Sequence, residues 1–262
     1  MRNHHSGYMT QDLLVLLPIA FVTGAVNAVV GGGGLIQVPG LFAALPMATP
    51  AQIMGTDKFA AIVGHATAMR QYAIRMKLPW RLVLLTAFAA FIGSLCGVSV
   101  MSIIPSTWMR PIVIVVLAIM LMYTWLRPKF GIQDGGNDIT RTDLWKGLAL
   151  GFAIGCYDGF IGPGTGSFLL FLFVRCFHFD FLKATACAKV VNFATNLAAL
   201  AILIPTMNVF YHLAIPMGIA GITGALVGSR LAMQGGNHWI RRLFLILASA
   251  LLARLLWQWW SG

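Results

Sequence analysis

Residues 31–46 read GGGGLIQVPGLFAALP, four consecutive glycines followed by an apolar segment. The apolar segment, at about 33–46, has some 14 residues, whereas a straight helical crossing of a bilayer needs about 20. The chain has a second such stretch, with GPGTG at 162–166 before a short apolar segment at 165–179. Glycine breaks are tolerated at membrane depth only where the freed backbone is buried in protein or lines a cavity. The two stretches therefore predict short, discontinuous helices around a polar centre.

The composition is that of a polytopic membrane protein. Of 262 residues, 59% are hydrophobic and 10% are charged, and the mean hydropathy is +0.83, whereas a soluble domain carries about 25% charged residues. Lys and Arg number 18 against 7 acids, all of them Asp, which gives a net charge of +11. In a soluble protein this excess would suggest nucleic-acid binding. Here the basic residues lie mostly between apolar runs, as the positive-inside rule describes, so we expect a lipid bilayer and no nucleic acid as partner.

The chain contains an internal duplication. Identical residues meet when residue i is aligned with residue i + 131 without a gap. The matched pairs include Asp12 with Asp143, Phe21 with Phe152, Gly24 with Gly155, Gly31 with Gly162, Gly33 with Gly164, Lys58 with Lys189, Gly93 with Gly224 and Gly97 with Gly228. The matches fall on glycine and lysine and not only on common apolar residues. A duplication of this kind is the usual signature of a transporter fold.

Each copy holds five apolar segments, which predicts an all-α membrane protein. They lie at about 12–30, 33–46, 52–72, 80–104 and 110–127 in the first copy, and at about 144–160, 165–179, 185–205, 210–232 and 240–260 in the second. The first segment could belong to a signal peptide, but it is longer than a usual signal core and is part of the repeat, so we predict a retained span. The chain then divides into a first transmembrane repeat at 1–127, a cytoplasmic linker at 128–143 and a second repeat at 144–262. Asp12 and Asp143 stand at segment starts, where they predict helix caps.

The basic residues predict how the segments cross. Arg70, Arg75, Lys77 and Arg81 cluster in one loop, which we place in the cytoplasm. If every segment crosses, nearly all other basic residues also lie in cytoplasmic loops; if the short segments turn back, the basic 230–242 region falls outside. The first arrangement fits the rule better. Because five crossings is an odd number, the copies run in opposite directions, which makes an inverted repeat of two five-segment halves in the inner cell membrane, with both termini on the outer side.

The polar residues of both copies predict an anion-binding site at mid-membrane. A charge in the bilayer costs several kcal/mol unless it is paired or solvated, yet Lys58 and Lys189 occupy matching positions. The inverted repeat brings both towards its axis, together with the starts of the two short helices, whose free N–H groups attract anions. The predicted substrate-binding residues are Lys58, Lys189, Gly32, Gly33, Gly34, Gln37, Thr56, His65, Gly164, Thr165, Gly166, Ser167, Asn192 and Asn196, with Asn27 as a further polar residue of the first copy.

Asp57 and Asp158 are candidates for proton coupling. An intramembrane carboxylate that changes its protonation state can carry a proton. Asp57 has no acidic counterpart in the other copy, and Asp158 aligns with Asn27. Structural roles stay open for the same residues: a static salt bridge between Lys58 and either acid, a core position for His65, and close helix packing for the glycines.

Four features together resemble the sulfite exporter TauE/SafE family: GGGGLIQVPGL at 31–41, PAQIMGTDKFAAI at 50–62, ATACAKVVNFATN at 184–196 and the duplicated layout. The resemblance covers about residues 12–257. Members of this family are bacterial and plant membrane transporters linked to sulfite, sulfonates and related sulfur-containing anions. The resemblance therefore implies that the substrate is sulfite or a small organosulfonate.

Residues and resemblance together predict a transporter and not an enzyme, with no cofactor and no metal. We expect alternating access around the central site, and export, because the inside-negative potential favours an outgoing anion by about 2.3 kcal/mol per charge at 100 mV. Another small carboxylate or oxyanion as substrate, an anion channel and a homodimer stay open. An intramembrane aspartyl protease is disfavoured because Asp57 adjoins Lys58 and lies outside a Gly-x-Gly-Asp setting. A non-transporting assembly factor would have no use for the polar centre.

Overall fold

The described part of the chain is entirely helical where it is regular, as the sequence predicts. The structure is a computed structural model that describes residues 3–45, 47–101, 139–160 and 162–260, with isolated positions between 102 and 138. The helices are α1 (Asn3–Val30), α2 (Gly34–Ala44), α3 (Pro50–Arg75), α4 (Trp80–Val100), α5 (Arg141–Phe160), α6 (Thr165–Phe177), α7 (Phe181–Leu203) and α8 (Tyr211–Trp260). The fifth predicted segment, at 110–127, falls almost wholly outside the described residues.

Four of the described helices are long and apolar enough to cross a bilayer. These stretches are Leu13–Val30, Trp80–Val100, Phe181–Leu203 and Tyr211–Ile246, while α2 and α6 are shorter apolar helices. Helix α3 has the length but a lower hydropathy, since Asp57, Lys58 and His65 lie along it. Helix α5 likewise contains Asp143 and Asp158. The chain is therefore a multi-pass membrane protein, and its two less apolar long helices carry Asp57, Lys58 and Asp158.

Matching helices of the two copies begin at matching residues. Helices α2 and α6 start at residues 34 and 165, α3 and α7 at 50 and 181, and α4 and α8 at 80 and 211. The local signals also correspond. Thr49 caps α3 by accepting from the Gln52 backbone N–H, and Asp180, at the matching position, caps α7 by accepting from Lys183 N–H at 2.7 Å.

The two glycine breaks begin in the same conformation and then differ, because Gly164 has φ 89° whereas its repeat counterpart Gly33 has φ −62°. Gly31 and Gly162, which follow α1 and α5, have φ values of 77° and 81°. This left-handed region is the usual end of a helix at glycine, because a side chain there is strained. The breaks at which α1 and α5 end therefore follow from the glycine runs at 31–34 and 162–166.

Two details differ from the predicted segment boundaries. Helix α1 begins at Asn3, so Asp12 lies inside the helix and is not its cap. Asp143 is also not the cap of its helix: Thr140 caps α5 by accepting from Asp143 N–H at 3.2 Å, and the Asp143 carboxylate accepts in return from Thr140 N–H at 3.1 Å. The ninth and tenth predicted segments both lie in α8, and the non-helical Gly236 (φ 66°, ψ −169°) separates them inside the predicted gap at 233–239.

The helices form two sets, each of which runs in one direction. In the first set, α1 contacts α8 at Phe21–Gly224 and Ala25–Gly228, and α3 contacts α8 and the residues before it at Gln71–Ser229 and Gly55–Asn208. In the second set, α5 contacts α4 at Phe152–Gly93 and Cys156–Gly97, and α7 packs against α4 at Ser94–Thr195 and Val98–Leu203. Residue numbers rise together along each pair, so α1, α3 and α8 are mutually parallel, as are α4, α5 and α7. The sets are antiparallel, because α4 follows α3 after a short connection at 76–79 and its end packs near Ala51, at the start of α3.

This arrangement fixes the path of the short helices. Because α1 and α3 are parallel, α2 carries the chain back towards the side on which α1 begins. Helix α6 does the same between α5 and α7. Both short helices start at a glycine break near the middle of the bundle, and each runs from there towards an opposite side.

Candidate functional site

A cavity lies where the two halves meet, between the ends of α1 and α5, the starts of α2 and α6, and the middles of α3 and α7. Its volume is about 30 Å³, enough for a water molecule. The lining residues are Asn27, Gly31, Gly34, Asp57, Lys58, Ala61, His65, Asp158, Gly162, Gly164, Thr165, Gly166, Asn192 and Asn196. An oxyanion of four or more heavy atoms requires this cavity to widen.

Lys58 forms a buried ion pair across the two halves. Its Nζ lies 3.0 Å from Asp158 Oδ2, and the side chains are 2% and 4% exposed. Asp158 belongs to the last turn of α5, and Lys58 to the middle of α3. The static salt bridge considered for Lys58 is therefore present, with Asp158 and not Asp57 as its partner.

Lys189 has a different partner. Its Nζ donates to the backbone carbonyl of Asn27, in the last turn of α1, and among the described residues it takes part in no ion pair. A cation at this end of a helix is favourable, because the free carbonyls carry partial negative charge. Lys189 is buried but does not line the cavity.

Side chains from elsewhere satisfy all four of the last carbonyls of α1. In addition to Lys189 at Asn27 O, Tyr72 Oη donates to Ala28 O at 2.9 Å. Thr185 Oγ1 donates to Val29 O at 3.2 Å, and Ser167 Oγ donates to Val30 O at 2.9 Å. Three of these four donors come from the second copy. The end of α1 is therefore held by the opposite half of the molecule.

The cavity brings together most of the predicted site residues. Those that line it are Gly34, Asp57, Lys58, His65, Asp158, Gly164, Thr165, Gly166, Asn192 and Asn196; those that do not are Gly32, Gly33, Gln37, Thr56, Ser167 and Lys189. Thr56 Oγ1 donates to Gln52 O and accepts from Phe210 N–H, which fastens α3 to the chain before α8. Gly33 N–H donates to Asn27 Oδ1 at 2.8 Å, so the Asn27 side chain links the end of α1 to the glycine segment before α2.

Sequence reasoning left three lining residues out of the predicted set. Gly31 and Gly162 do line the cavity, and their shared repeat position was the signal that could have added them. Ala61 lines it too, but nothing in the sequence distinguishes this alanine from its apolar neighbours.

Several polar atoms around the cavity are buried without a hydrogen-bond partner in the described part of the chain. They are Asp57 Oδ1, His65 Nδ1, Asn192 Oδ1 and Gln37 Nε2. Buried polar groups are normally paired, so each calls for water or a ligand. Asp57, His65 and Asn192 line the central cavity directly. The described residues contain no cluster of three His, Cys, Asp or Glu able to hold a metal.

The sequence also matches a known family over almost its whole length. The family described as "Sulfite exporter TauE/SafE" matches residues 16–255. The chain belongs to the sulfite exporter TauE/SafE family. This confirms the resemblance carried by the glycine break and the two lysine motifs.

Relatives of this TauE/SafE protein carry transporter names. The chain is 35% identical to a probable membrane transporter protein, ORF9, of Sinorhizobium sp, over 93% of this chain and 92% of the relative. It is 31% identical to the probable membrane transporter protein YfcA of Escherichia coli K12, over 98% and 95%. A probable membrane transporter protein of Haemophilus influenzae is 31% identical over 94% and 96%. No solved structure matches the chain.

Proposed function

We propose that this membrane transporter exports sulfite or a small organosulfonate by alternating access around the central cavity. The observation that carries the proposal is the meeting of two helix starts, Gly34 of α2 and Thr165 of α6, with Lys58 at one cavity. Free N–H groups at helix starts bind oxyanions, and the helix dipole adds partial positive charge. The Lys58 ammonium, although paired with Asp158, would donate its remaining hydrogens to the anion, and the amide of Asn196 would add a directional contact.

The packing of the two copies supports an inverted repeat. Matching helices lie in antiparallel sets, and matching residues make matching contacts: Gly24 approaches Gly221 O as Gly155 approaches Ala90 O. Inverted repeats whose discontinuous helices start at mid-membrane are typical of carriers in which one bundle rocks against the other. We propose the same motion here.

The loop charges support an orientation in the inner membrane. The side on which α3 ends bears Arg75, Lys77 and Arg81, whereas the connections at 47–49 and 204–210, on the other side, contain no charged residue. The positive-inside rule makes the first side cytoplasmic. With α1 starting outside, both termini are proposed to lie on the outer side.

The central charges support a role for Asp57 as the proton-coupling group. Lys58 and Asp158 neutralise each other, which leaves Lys189 and Asp57 as the charges without an ion-pair partner among the described residues. An entering anion would add negative charge in a medium of low dielectric constant. A proton on Asp57 would compensate for that charge. Such coupling would be needed for uptake of an anion, whereas export is already favoured by the membrane potential.

A carrier is favoured over an open channel and over an enzyme. Lys58, Asp158 and Asn192 are 2%, 3% and 3% exposed, as expected of an occluded site. Another small carboxylate or oxyanion would suit the same donors. The substrate must therefore be identified by measurement.

The test is flux into proteoliposomes. We expect saturable uptake of labelled sulfite by the wild type, competition by a two-carbon sulfonate, and loss of flux in Lys58→Met. Lys189→Met should also lose flux, because it frees the end of α1 and removes a central charge. Arg81→Met, at the start of α4, is a matched control that removes a basic residue distant from the cavity.

Three results would count against the proposal. Sulfite flux that survives both lysine substitutions would make the lysines structural. Flux that rises linearly with concentration would indicate a channel. A folded, reconstituted protein that moves neither anion would refute the sulfur-anion substrate.

A further inference from the structure

A second, smaller cavity adjoins the central one. It lies among α1, α2, α3 and α8 and has a volume of about 10 Å³. Asn27, Ala61 and His65 line both cavities. A ligand in the central cavity could therefore extend into the second without crossing a helix.

Two buried polar atoms belong to the second cavity. Gln37 and His65 line it, with 2% and 6% of their surfaces exposed. Gln37 Nε2 and His65 Nδ1 have no hydrogen-bond partner in the described ranges. The Gln37 amide is near the Asp57 carboxylate but outside hydrogen-bonding geometry. Unpaired polar atoms so deeply buried are costly, and their position favours a ligand group between them.

The rest of the lining is small. Gly24, Gly64, Gly221 and Ala60 surround the space. None of the lining residues is a lysine, arginine or carboxylate, so the cavity suits an uncharged group. Because the volume corresponds to about one water-sized group, that group is no larger than a single oxygen or nitrogen with its hydrogens.

Several matching positions of the second copy bear larger side chains. Gln37 corresponds to Phe168, and Ala60 corresponds to Val191. Phe168 is 4% exposed, and its ring centroid lies 5.0 Å from that of Tyr157. The cavity is thus a property of the first copy's side chains and not of the repeat architecture.

We propose that the second cavity binds a neutral hydrogen-bonding group on the tail of the transported anion. The inference rests on the proposed anion site. The preferred substrate is then an anion that bears a hydroxyl or carbonyl oxygen one or two carbons from its charged head, and not a bare oxyanion. Gln37 Nε2 would donate to that oxygen. His65 Nδ1 would donate to it or accept from a hydroxyl.

The experiment compares anions that differ only in the hydroxyl. Transport currents or counterflow in proteoliposomes would be measured with 2-hydroxyethanesulfonate and ethanesulfonate, and with glycolate and acetate for a carboxylate head. Methanesulfonate and sulfite report the central site alone. Wild type should prefer the hydroxylated member of at least one pair by about three- to tenfold, the range expected for one net hydrogen bond.

Two variants test the cavity. Gly221→Ala would add a methyl whose nearest atoms are Ala60 O at 3.8 Å and Ala20 O at 3.9 Å, an ordinary contact, and alanine is the residue at the matching position, Ala90. Gln37→Leu removes the amide at similar volume. Each should abolish the hydroxyl preference. Gly221→Ala should in addition leave methanesulfonate and sulfite flux within about twofold of wild type, a smaller change than the loss of one net hydrogen bond would cause.

The outcomes separate this inference from the proposed function. Equal affinity for both members of each pair in wild type would overturn it, and so would a preference that persists in both variants; the cavity would then hold only water. Absence of flux for every anion, methanesulfonate and sulfite included, in a protein with a cooperative thermal transition would refute the proposed function itself.

Discussion

Lys58 and Lys189 occupy one repeat position but have unlike partners. Lys58 pairs with the carboxylate of Asp158, whereas Lys189 donates to the backbone carbonyl of Asn27, the residue that matches Asp158. Each lysine thus reaches the end of the first helix of the opposite copy. Because that position is Asp158 in one copy and Asn27 in the other, Lys58 binds a carboxylate and Lys189 binds a backbone carbonyl. One lysine is neutralised by a side chain and the other by a helix dipole.

The Lys58–Asp158 pair should be strongly coupled in stability. Removing one partner leaves a buried charge uncompensated, so Lys58→Met or Asp158→Asn alone should cost about 3–5 kcal/mol. In a protein of this size that lowers the melting temperature by on the order of 10 °C. The double variant should be destabilised by less than the sum, as measured by thermal unfolding in detergent.

The control for this cycle is the pair Lys146–Asp143, which has a similar 3.2 Å distance but side chains that are 50% and 20% exposed. Its coupling should stay below about 1 kcal/mol. Additive losses at Lys58 and Asp158 would contradict the reading of a desolvated pair.

Asp57 is expected to link transport to protons. It lines the cavity with an unpartnered carboxylate oxygen, whereas Asp158 is held by Lys58. Asp57→Asn should therefore remove the response of anion flux to an imposed proton gradient in proteoliposomes. Asp143→Asn, in a helix cap away from the cavity, should retain that response. An unchanged response in Asp57→Asn would rule out the coupling role.

Two hydroxyl residues mark the limit of prediction at the residue scale. Thr56 and Ser167 stand on the right elements for an anion site, but Thr56 contacts Phe210 N–H and Ser167 donates to Val30 O. The first N–H groups and the last C=O groups of a helix have no partner within the helix, and a buried hydroxyl forms a hydrogen bond with the nearest of them. Which group is nearest depends on the packed neighbour, and a single sequence does not contain that information.

At the scale of the elements, helix boundaries could be predicted where local chemistry sets them. Gly31 and Gly162 end their helices in the left-handed conformation, and Thr49 and Asp180 begin theirs as caps. The break at Gly236 lies within the gap at 233–239 that the sequence predicts between the ninth and tenth segments.

The capping box at Thr49 should contribute measurably to stability. Its side chain accepts from Gln52 N–H at 3.3 Å, and Gln52 Oε1 accepts in return from Thr49 N–H at 3.0 Å. Thr49→Ala should cost about 0.5–2 kcal/mol, or a few degrees in melting temperature. Thr67→Ala, on an exposed turn of the same helix, is the control. Equal effects of the two substitutions would argue against a specific cap.

Close helix contact depends on glycine at the crossings of the two copies. An added Cβ at Gly224 would lie 2.0 Å from Phe21 O, and one at Gly93 would lie 2.2 Å from Phe152 O. Gly224→Ala and Gly93→Ala should therefore force the helices apart and cost about 1–3 kcal/mol each. At Gly64 the nearest atom is 3.5 Å away, so Gly64→Ala should be tolerated. Comparable melting temperatures for all three variants would contradict the tight crossings.

At the scale of the whole molecule, the repeat offset predicts contacts as well as elements. Gly24 meets Gly221 as Ala90 meets Gly155, and Lys58 reaches residue 158 as Lys189 reaches residue 27. The sequence therefore predicts that the glycine breaks and the two lysines lie close together at the centre of the molecule. The second cavity could not be predicted from the sequence. It is formed by small residues of four helices, and the periodicity of the sequence does not show that these helices pack together.

The direction of the short helices decides the topology, and cysteine labelling can test it. Met47 and Met207 are 96% and 87% exposed, and they lie in the connections before α3 and α8, which are parallel. In a background lacking the four native cysteines, Met47→Cys and Met207→Cys should both react with an impermeant maleimide added outside intact cells. Lys77→Cys should react only after the membrane is opened.

If α6 instead turned back without carrying the chain across, Met207→Cys would share the labelling of Lys77→Cys while Met47→Cys would not change. Met207 is therefore the position that discriminates. The structure places it on the side of the bundle on which α3 begins, because Asn208 lies against Gly55 near the start of α3, and the Phe59 and Tyr211 ring centroids are 5.3 Å apart. Labelling of Met207→Cys from the cytoplasmic side alone would contradict these contacts. It would also contradict the antiparallel relation of the two copies, on which the proposed alternating access depends.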